Sequence, residues 1–349
     1  MNERPPFVPG AELCAAFYGE VLAPVVEVPH AAGLVGPGSD VLGYDTARST
    51  DHEWGPRATL LVATEDVEGV RRRVDAALPT HFRGWPTALG RDDQPRHPAV
   101  EVTTVADLAV AELGFDPRPG LTADDWLSVP QQRLLHLVAG PVFTDQTGEL
   151  SRLRERLGWY PPDVWWWLVA SAWQRLSQEE PFVQRTAEAG DDLGAAVVTA
   201  RQVRECLRLA LLLARHYAPY TKWLGTAFGQ LPDDDGLGAA LRDAVGAQDD
   251  GGRGEALGRA YLALAERHCA VSPGPSPLAR LGLFWDRPAV VLGAERFATA
   301  ALANVTDADL RARPLIGGVD QWVDSTDVLT SPALCREVTP RRHLGGVGR

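Results

Sequence analysis

A glycine-rich turn, GPGS at residues 36–39, is separated by eleven residues from the sequence DHEW at 51–54. Side chains alternate between the two faces of a β-strand, so a strand at 48–54 would place the carboxylates of Asp51 and Glu53 on one face. Carboxylate oxygens are ligands that Mg²⁺ prefers, and the backbone N–H groups of a glycine turn bind phosphate oxygens, as does the Ser39 hydroxyl. Together these features predict a site for a divalent metal that carries a nucleoside triphosphate.

The same residues resemble the signature of the nucleotidyltransferases of the DNA polymerase β type. In that signature a Gly-Ser or Gly-Gly pair, here Gly38 and Ser39, precedes a strand with the pattern acid-x-acid, here Asp51 and Glu53. His52 departs from the pattern, because an apolar residue usually stands between the two acids. On an alternating strand His52 would face away from the metal, so we interpret it as a local variation.

The resemblance extends beyond this signature. Residues 38–57 look like an uncharacterised bacterial branch of the superfamily, catalogued as a domain of unknown function, and the similarity continues through 126–132, 217–228 and 320–329. It implies an α+β fold with a nucleotidyltransferase-like domain and small mixed β-sheet at 1–120. A helical bundle domain at 121–349 would close over the nucleotide and select the substrate.

A third carboxylate is expected on a later strand, as the superfamily usually has one beside the acid pair. Residues 98–105 are rich in β-branched side chains, which are typical of a strand, and Glu101 lies within them. Glu101 would ligate the metal or accept the proton of an attacking hydroxyl. Asp40, Asp45 and Asp107 are weaker substitutes for this role.

Several basic and aromatic residues are further candidates. Arg71, Arg72 and Arg73 are interpreted as a solvated helix face rather than a phosphate clamp. Tyr220 and Lys222 follow a predicted helix end, and the branch resemblance includes both, so they are predicted to contact the nucleotide phosphates.

The second half of the chain is predicted to be largely helical. Four tryptophans between residues 165 and 173 are interpreted as core packing rather than as a platform that stacks on bases. Asp320, Gln321 and Asp324 remain candidates that fold back to the active cleft.

Composition limits the functional classes. The chain of 349 residues is 45% apolar with a formal net charge of -12, which argues against general binding to extended nucleic acid, since phosphate backbones need a basic surface. Its four cysteines lack metal-binding spacing, and no apolar stretch is long enough to span a bilayer. We therefore expect a cytoplasmic protein without membrane contact; the sequence leaves the oligomeric state open.

The expected activity is that of an enzyme with Mg²⁺ or Mn²⁺ as cofactor, and it follows from the resemblance. A nucleoside monophosphate would pass from a nucleoside triphosphate to a small-molecule acceptor, and pyrophosphate would be released. The alternative is a catalytically silent nucleotide-binding or regulatory, antitoxin-like protein that acts on a protein or RNA partner.

Overall fold

A mixed β-sheet and a larger set of α-helices make up the fold in a computed structural model that describes residues 5–90, 97–285, 287 and 289–340. The predicted α+β class is therefore confirmed. The β-strands are, in chain order, β1 Ala31–Gly33, β2 Ala58–Leu61, β3 His81–Phe82, β4 Trp85–Pro86, β5 Ala88–Leu89, β6 His97–Pro98, β7 Val100–Thr103, β8 Val142–Asp145, β9 Gly282–Leu283 and β10 Val290–Val291. The α-helices are α1 Gly10–Phe17, α2 Val67–Ala77, α3 Val105–Leu113, α4 Ala123–Ser128, α5 Gln131–Val138, α6 Glu149–Leu157, α7 Pro162–Glu179, α8 Phe182–Glu188, α9 Asp192–Leu213, α10 Leu224–Phe228, α11 Leu237–Gly246, α12 Asp250–Val271, α13 Glu295–Ala303, α14 Ala308–Arg311, α15 Val319–Trp322, α16 Thr326–Leu329 and α17 Pro332–Val338.

The chain divides into two compact units that are discontinuous in sequence, whereas the prediction had a single boundary between residues 120 and 121. The first unit comprises the described part of Met1–Leu121 together with Gln131–Gly158 and Thr330–Glu337. The second comprises Thr122–Pro130, Trp159–Leu329 and the described part of the C-terminal segment. None of the helices in the described chain has the length and apolar content needed to cross a bilayer.

The sheet of the first unit has the strand order β7-β2-β1-β8. β1 pairs antiparallel with β2 and with β8, while β2 and β7 run parallel, with Thr59 opposite Glu101. The pairing of β8 with β1 explains why Gln131–Gly158 belongs to the first unit. β8 lies beyond residue 120 in the chain, yet its backbone hydrogen bonds are made to β1.

The strand predicted at 48–54 is wrong, because Ala47–Asp51 forms a 3₁₀-helix. Thr46 caps it: the Thr46 hydroxyl accepts from the backbone N–H of Arg48, and the Ser49 hydroxyl accepts from that of Thr46. Such local bonds from serine and threonine side chains offer the backbone an alternative to strand pairing. The chain enters β2 only at Ala58, so Asp51 and Glu53 do not share a strand face.

The tryptophan-rich helix α7 belongs to the core of the second unit. Trp165, Trp166, Trp167 and Trp173 are all buried, which confirms the packing interpretation. Trp173 stacks on Phe297 at 4.9 Å between ring centroids, and its indole N–H donates to Nδ1 of His268 at 3.1 Å. Helices α8 and α9 are separated at Gly190, whose φ of 74° favours glycine.

Two buried titratable groups lie in this unit. The carboxylate of Glu180 accepts hydrogen bonds from the backbone N–H groups of Leu292 and Ala294. Burial raises the pKa of Glu180 to about 7, although the bonds to these N–H groups act in the opposite direction. Burial lowers the pKa of His268 to about 4. Both groups therefore favour the uncharged form in the folded protein.

We expect the free energy of unfolding of the Glu180→Gln variant to depend less on pH, between about 4.5 and 7, than that of the wild type. The folded state binds the Glu180 proton more tightly than the unfolded state, whose pKa is near 4.5, so wild-type stability is lost as pH rises from about 4.5 to about 7. The loss is about 3 kcal/mol at most. His268 has the opposite slope between about pH 4 and 6.5, but it cancels in the comparison of the two proteins.

Urea unfolding followed by tryptophan fluorescence at about pH 4.5, 6 and 8 measures this effect. The difference in the free energy of unfolding between wild type and Glu180→Gln should change across the series in favour of the variant. A difference that stays constant with pH contradicts the prediction.

Candidate functional site

The turn at residues 36–39 has backbone geometry that requires glycine. Gly36 has a φ of 92° and Gly38 a φ of 143°, both in the region where other residues are strained. A Cβ atom on Gly38 would lie 2.1 Å from Oδ1 of Asp40 and 2.6 Å from Nη2 of Arg57. The turn is thus closely packed against the side chains of Asp40 and Arg57.

An ion pair joins Asp40 to Arg57. Nε of Arg57 donates to Oδ2 of Asp40 at 2.8 Å, and Nη2 donates to Oδ1 at 2.9 Å and to the carbonyl oxygen of Pro37 at 2.8 Å. Only 2% of the Asp40 side chain is exposed. Burial acts to lower the pKa of Arg57, but the charge and hydrogen bonds of Asp40 outweigh it and raise that pKa. The pair ties the turn to the residue that precedes β2.

Asp45 fixes the rest of the loop against α1. Its Oδ2 atom accepts from the backbone N–H of Gly10 at 2.7 Å and from Nε1 of Trp54 at 3.0 Å. A carboxylate at a helix N-terminus is also favoured by the helix dipole. Asp40 and Asp45 were weaker substitutes for the third acid, and the structure gives both of them partners within this loop. Asp107, the remaining substitute, bonds to Thr104 at the start of α3.

Asp51 and Glu53 lie on the outer part of the loop with exposed side chains. Oδ1 of Asp51 is 2.8 Å from Nδ1 of His52. Glu53 has a φ of 49°, and its charge acts on Arg57. The two acids are therefore accessible from solvent and lie on a loop that the Asp40–Arg57 pair holds in place.

A cavity of about 540 Å³ lies beside the turn and contains the predicted third acid. Its walls combine turn residues, strand edges and charged side chains from α2 and α3; among them are Gly36, Pro37, Arg57, Thr59, Arg71, Asp75, Glu101 and Glu112. The volume is within the range of about 300–1,000 Å³ that is usual for small-molecule sites. Glu101 lies on β7, which confirms the strand predicted there.

The charges in the cavity are mixed. Burial raises the pKa of Glu101, and the carboxylate of Glu112 raises it further, whereas Arg71 lowers it. Nη2 of Arg71 also donates to the carbonyl oxygen of Val102 at 3.1 Å, which holds this guanidinium against β7. A carboxyl group that borders such a cavity can accept or donate a proton there.

The described residues contain no group of three or more His, Cys, Asp or Glu side chains that could hold a metal ion. Asp51, Glu53 and Glu101 are thus not gathered into one ligand set. Mg²⁺ commonly uses one or two carboxylates and takes its other ligands from water and substrate phosphates. A role for Asp51 and Glu53 in holding such a cation stays a prediction.

Tyr220 and Lys222 lie in the second unit, at and next to the 3₁₀-helix Thr221–Trp223. The Tyr220 hydroxyl accepts from Nε1 of Trp223 at 2.7 Å, and Nζ of Lys222 lies 4.9 Å from the Trp223 ring centroid. Both side chains are exposed. Their predicted contact with phosphates stays a prediction.

The three polar residues near 320 also have partners inside the second unit. Asp320 pairs with Arg208 at 3.1 Å, and Asp324 pairs with Arg204 at 2.5 Å. The amide of Gln321 accepts from the backbone N–H of Gly318 and donates to the carbonyl of Leu168. These contacts stabilise the packing of the helical unit.

Sequence reasoning missed Arg57, Arg71 and Glu112 as parts of the cavity. Arg71 belongs to the run that was interpreted as a solvated face, and it is exposed like its neighbour Arg72, so the residue pattern does not distinguish the two. Arg57 is the last residue of the stretch 38–57 that carries the family resemblance. Its place in that stretch could have identified it as a site residue. Glu112 lies on α3, and only the packing of this helix beside β7 brings it to the site.

Comparison with known proteins found a matching family model and a similar solved structure. Residues 126–224 match a family described as a domain of unknown function, DUF4037. The match covers less than a third of the 349 residues and includes the stretch 126–132 and the start of 217–228. No curated protein matches the chain.

Among solved structures, the chain is similar to a nucleotidyltransferase-like protein from Exiguobacterium sibiricum 255-15. The two are 12% identical, the likeness covers 86% of this chain and 91% of the other, and the TM-score is 0.32. We therefore base the functional proposal on the residues of this chain.

We expect Asp40→Asn to destabilise the first unit by about 3 kcal/mol, since it leaves the buried Arg57 guanidinium without its counter-charge. The matched control is Asp116→Asn, because both carboxylate oxygens of Asp116 accept from Arg118 at the surface. The control should cost less than about 1 kcal/mol. Urea unfolding of both variants measures the difference, and equal effects would contradict a structural role for the Asp40–Arg57 pair.

Proposed function

We propose that the protein is a nucleotidyltransferase that moves a nucleoside monophosphate from a nucleoside triphosphate to a small-molecule acceptor. The observation that carries the proposal is the cavity beside the glycine turn, where Gly36, Arg71 and Glu101 border one space. Glycine turns bind phosphate through backbone N–H groups, and arginine binds phosphate oxygens through a planar fork of donors. Glu101 supplies a proton acceptor in the same space.

The residues of the first unit have separate roles in this proposal. Gly38 and Ser39 contact the β- and γ-phosphates. Arg71 provides positive charge toward the phosphates, because Arg57 is already neutralised by Asp40. Positioning and electrostatic stabilisation of this kind account for most of the catalysis of phosphoryl-type transfers.

In the reaction, an acceptor oxygen forms a bond to the α-phosphorus while the bond from that phosphorus to the bridging oxygen of pyrophosphate breaks. Glu101 takes the proton that the acceptor hydroxyl loses, unless it serves as a metal ligand. Asp51 and Glu53 would hold Mg²⁺ or Mn²⁺, which supplies positive charge to the triphosphate. Tyr220 and Lys222 are proposed as further phosphate contacts.

A second candidate is a catalytically silent nucleotide-binding or regulatory protein that acts on a protein or RNA partner. The observation in its favour is that Asp51, Glu53 and Glu101 do not form a single three-carboxylate group. A protein that binds a nucleotide without turnover has no need for such a group. The two candidates differ in whether labelled nucleotide reaches an acceptor.

We expect one or more nucleoside triphosphates with Mg²⁺ to raise the melting temperature of the wild type, since a ligand that binds only the folded state stabilises it. Asp51→Asn should reduce nucleotide transfer by about 100-fold or more, because even outer partners of a metal site cost about 10–100-fold. Glu155→Gln is the control, as Glu155 is an exposed acid on α6.

The measurements are thermal shift with each nucleotide and transfer of label from the α-phosphate to a panel of hydroxylated small molecules. Stabilisation without transfer would favour the silent binding protein. Full activity in Asp51→Asn would remove Asp51 as a metal ligand. A lack of stabilisation by every nucleotide would contradict the transferase and favour a regulatory protein that acts on a partner.

A further inference from the structure

Glu112 and His136 form a hydrogen-bonded pair at the edge of the cavity. Nδ1 of His136 donates to Oε2 of Glu112 at 2.8 Å, and each side chain is 13% exposed. Glu112 lies on α3 and lines the cavity, whereas His136 lies on α5. Glu112 acts on Glu101 through its charge, and its hydrogen bond also connects the edge of the cavity to α5.

The backbone of His136 holds the glycine turn. Its carbonyl oxygen accepts from the N–H of Gly36 at 2.8 Å. This carbonyl belongs to the last turn of α5, where carbonyl groups have no partner within the helix. The orientation of the last turn of α5 therefore sets where the turn at 36–39 begins, two residues before Gly38.

Arg133 fastens the two helices to each other. It is buried, and its guanidinium donates to the carbonyl oxygens of Ala111 and Glu112 in the last turn of α3 and to that of Thr330. Nη2 of Arg133 also lies 3.3 Å from Oε2 of Glu112. The bonds to backbone carbonyls do not depend on the Glu112 side chain, so the helices stay joined when that side chain is removed.

We propose that Glu112 is a positioning residue that, through its hydrogen bond with His136, fixes the glycine turn for the nucleotide phosphates. The Glu112 carboxylate fixes the imidazole, the imidazole fixes the last turn of α5, and the carbonyl of that turn fixes Gly36. This proposal rests on the proposed nucleotide site. Its effect on the turn itself is measurable without nucleotide.

The test compares Glu112→Ala, Glu112→Gln and the control Glu155→Ala in the full chain. Glu112→Ala removes the acceptor of the His136 bond, whereas the amide oxygen of Glu112→Gln retains one. We expect hydrogen exchange at the Gly36 amide, followed by NMR, to be about fivefold faster in Glu112→Ala, the factor for one lost hydrogen bond. The KM for the nucleotide should rise by a similar factor.

Glu112→Gln and Glu155→Ala should both resemble the wild type in exchange and in KM. Unchanged exchange in Glu112→Ala would overturn the proposal, as would a loss in Glu112→Gln equal to that in Glu112→Ala. If exchange responds as expected but the wild type binds and turns over no nucleotide, the link from Glu112 to the turn stands and the proposed nucleotide function fails.

Discussion

The buried ion pair between Asp40 and Arg57 is the contact on which the loop at residues 36–57 depends. It joins the glycine turn to the residue before β2, and its guanidinium also holds the carbonyl of Pro37. A buried charge pair stabilises little in net terms, but either partner alone is strongly unfavourable. The pair therefore acts as a geometric constraint: the loop has few arrangements in which both charges are compensated.

Other contacts of the first unit extend this constraint. Asp45 joins the loop to α1 through Gly10, and the His136 carbonyl joins the turn to α5 through Gly36. The loop continues into β2. The parallel pairing of β2 with β7 places Glu101 of β7 opposite Thr59 of β2. The cavity is the space that these fixed elements leave between them, and its position beside the glycine turn follows from their connections.

Local residue patterns predicted much of the fold but not the acid pair. The strand at β7 was predicted because β-branched residues are concentrated there. The strand at 48–54 was wrong because Thr46 and Ser49 cap a 3₁₀-helix with their side chains, and an alternation of acids does not show this competition. The fourth strand, β8, was missed because its partner β1 lies more than a hundred residues earlier in the chain.

The sequence by itself determined the glycine turn, the buried tryptophan helix and the strand that carries Glu101, because each depends on residue types within a short window. The fold class followed from the family resemblance together with the helix-rich second half. Only the tertiary structure decided that Asp40 and Asp45 hold the loop, that Arg71 and Glu112 border the cavity, and that residues 131–158 belong with the first unit. These outcomes depend on contacts between residues distant in the chain. Such contacts are set by how helices and strands pack, and a single sequence does not contain them as a local pattern.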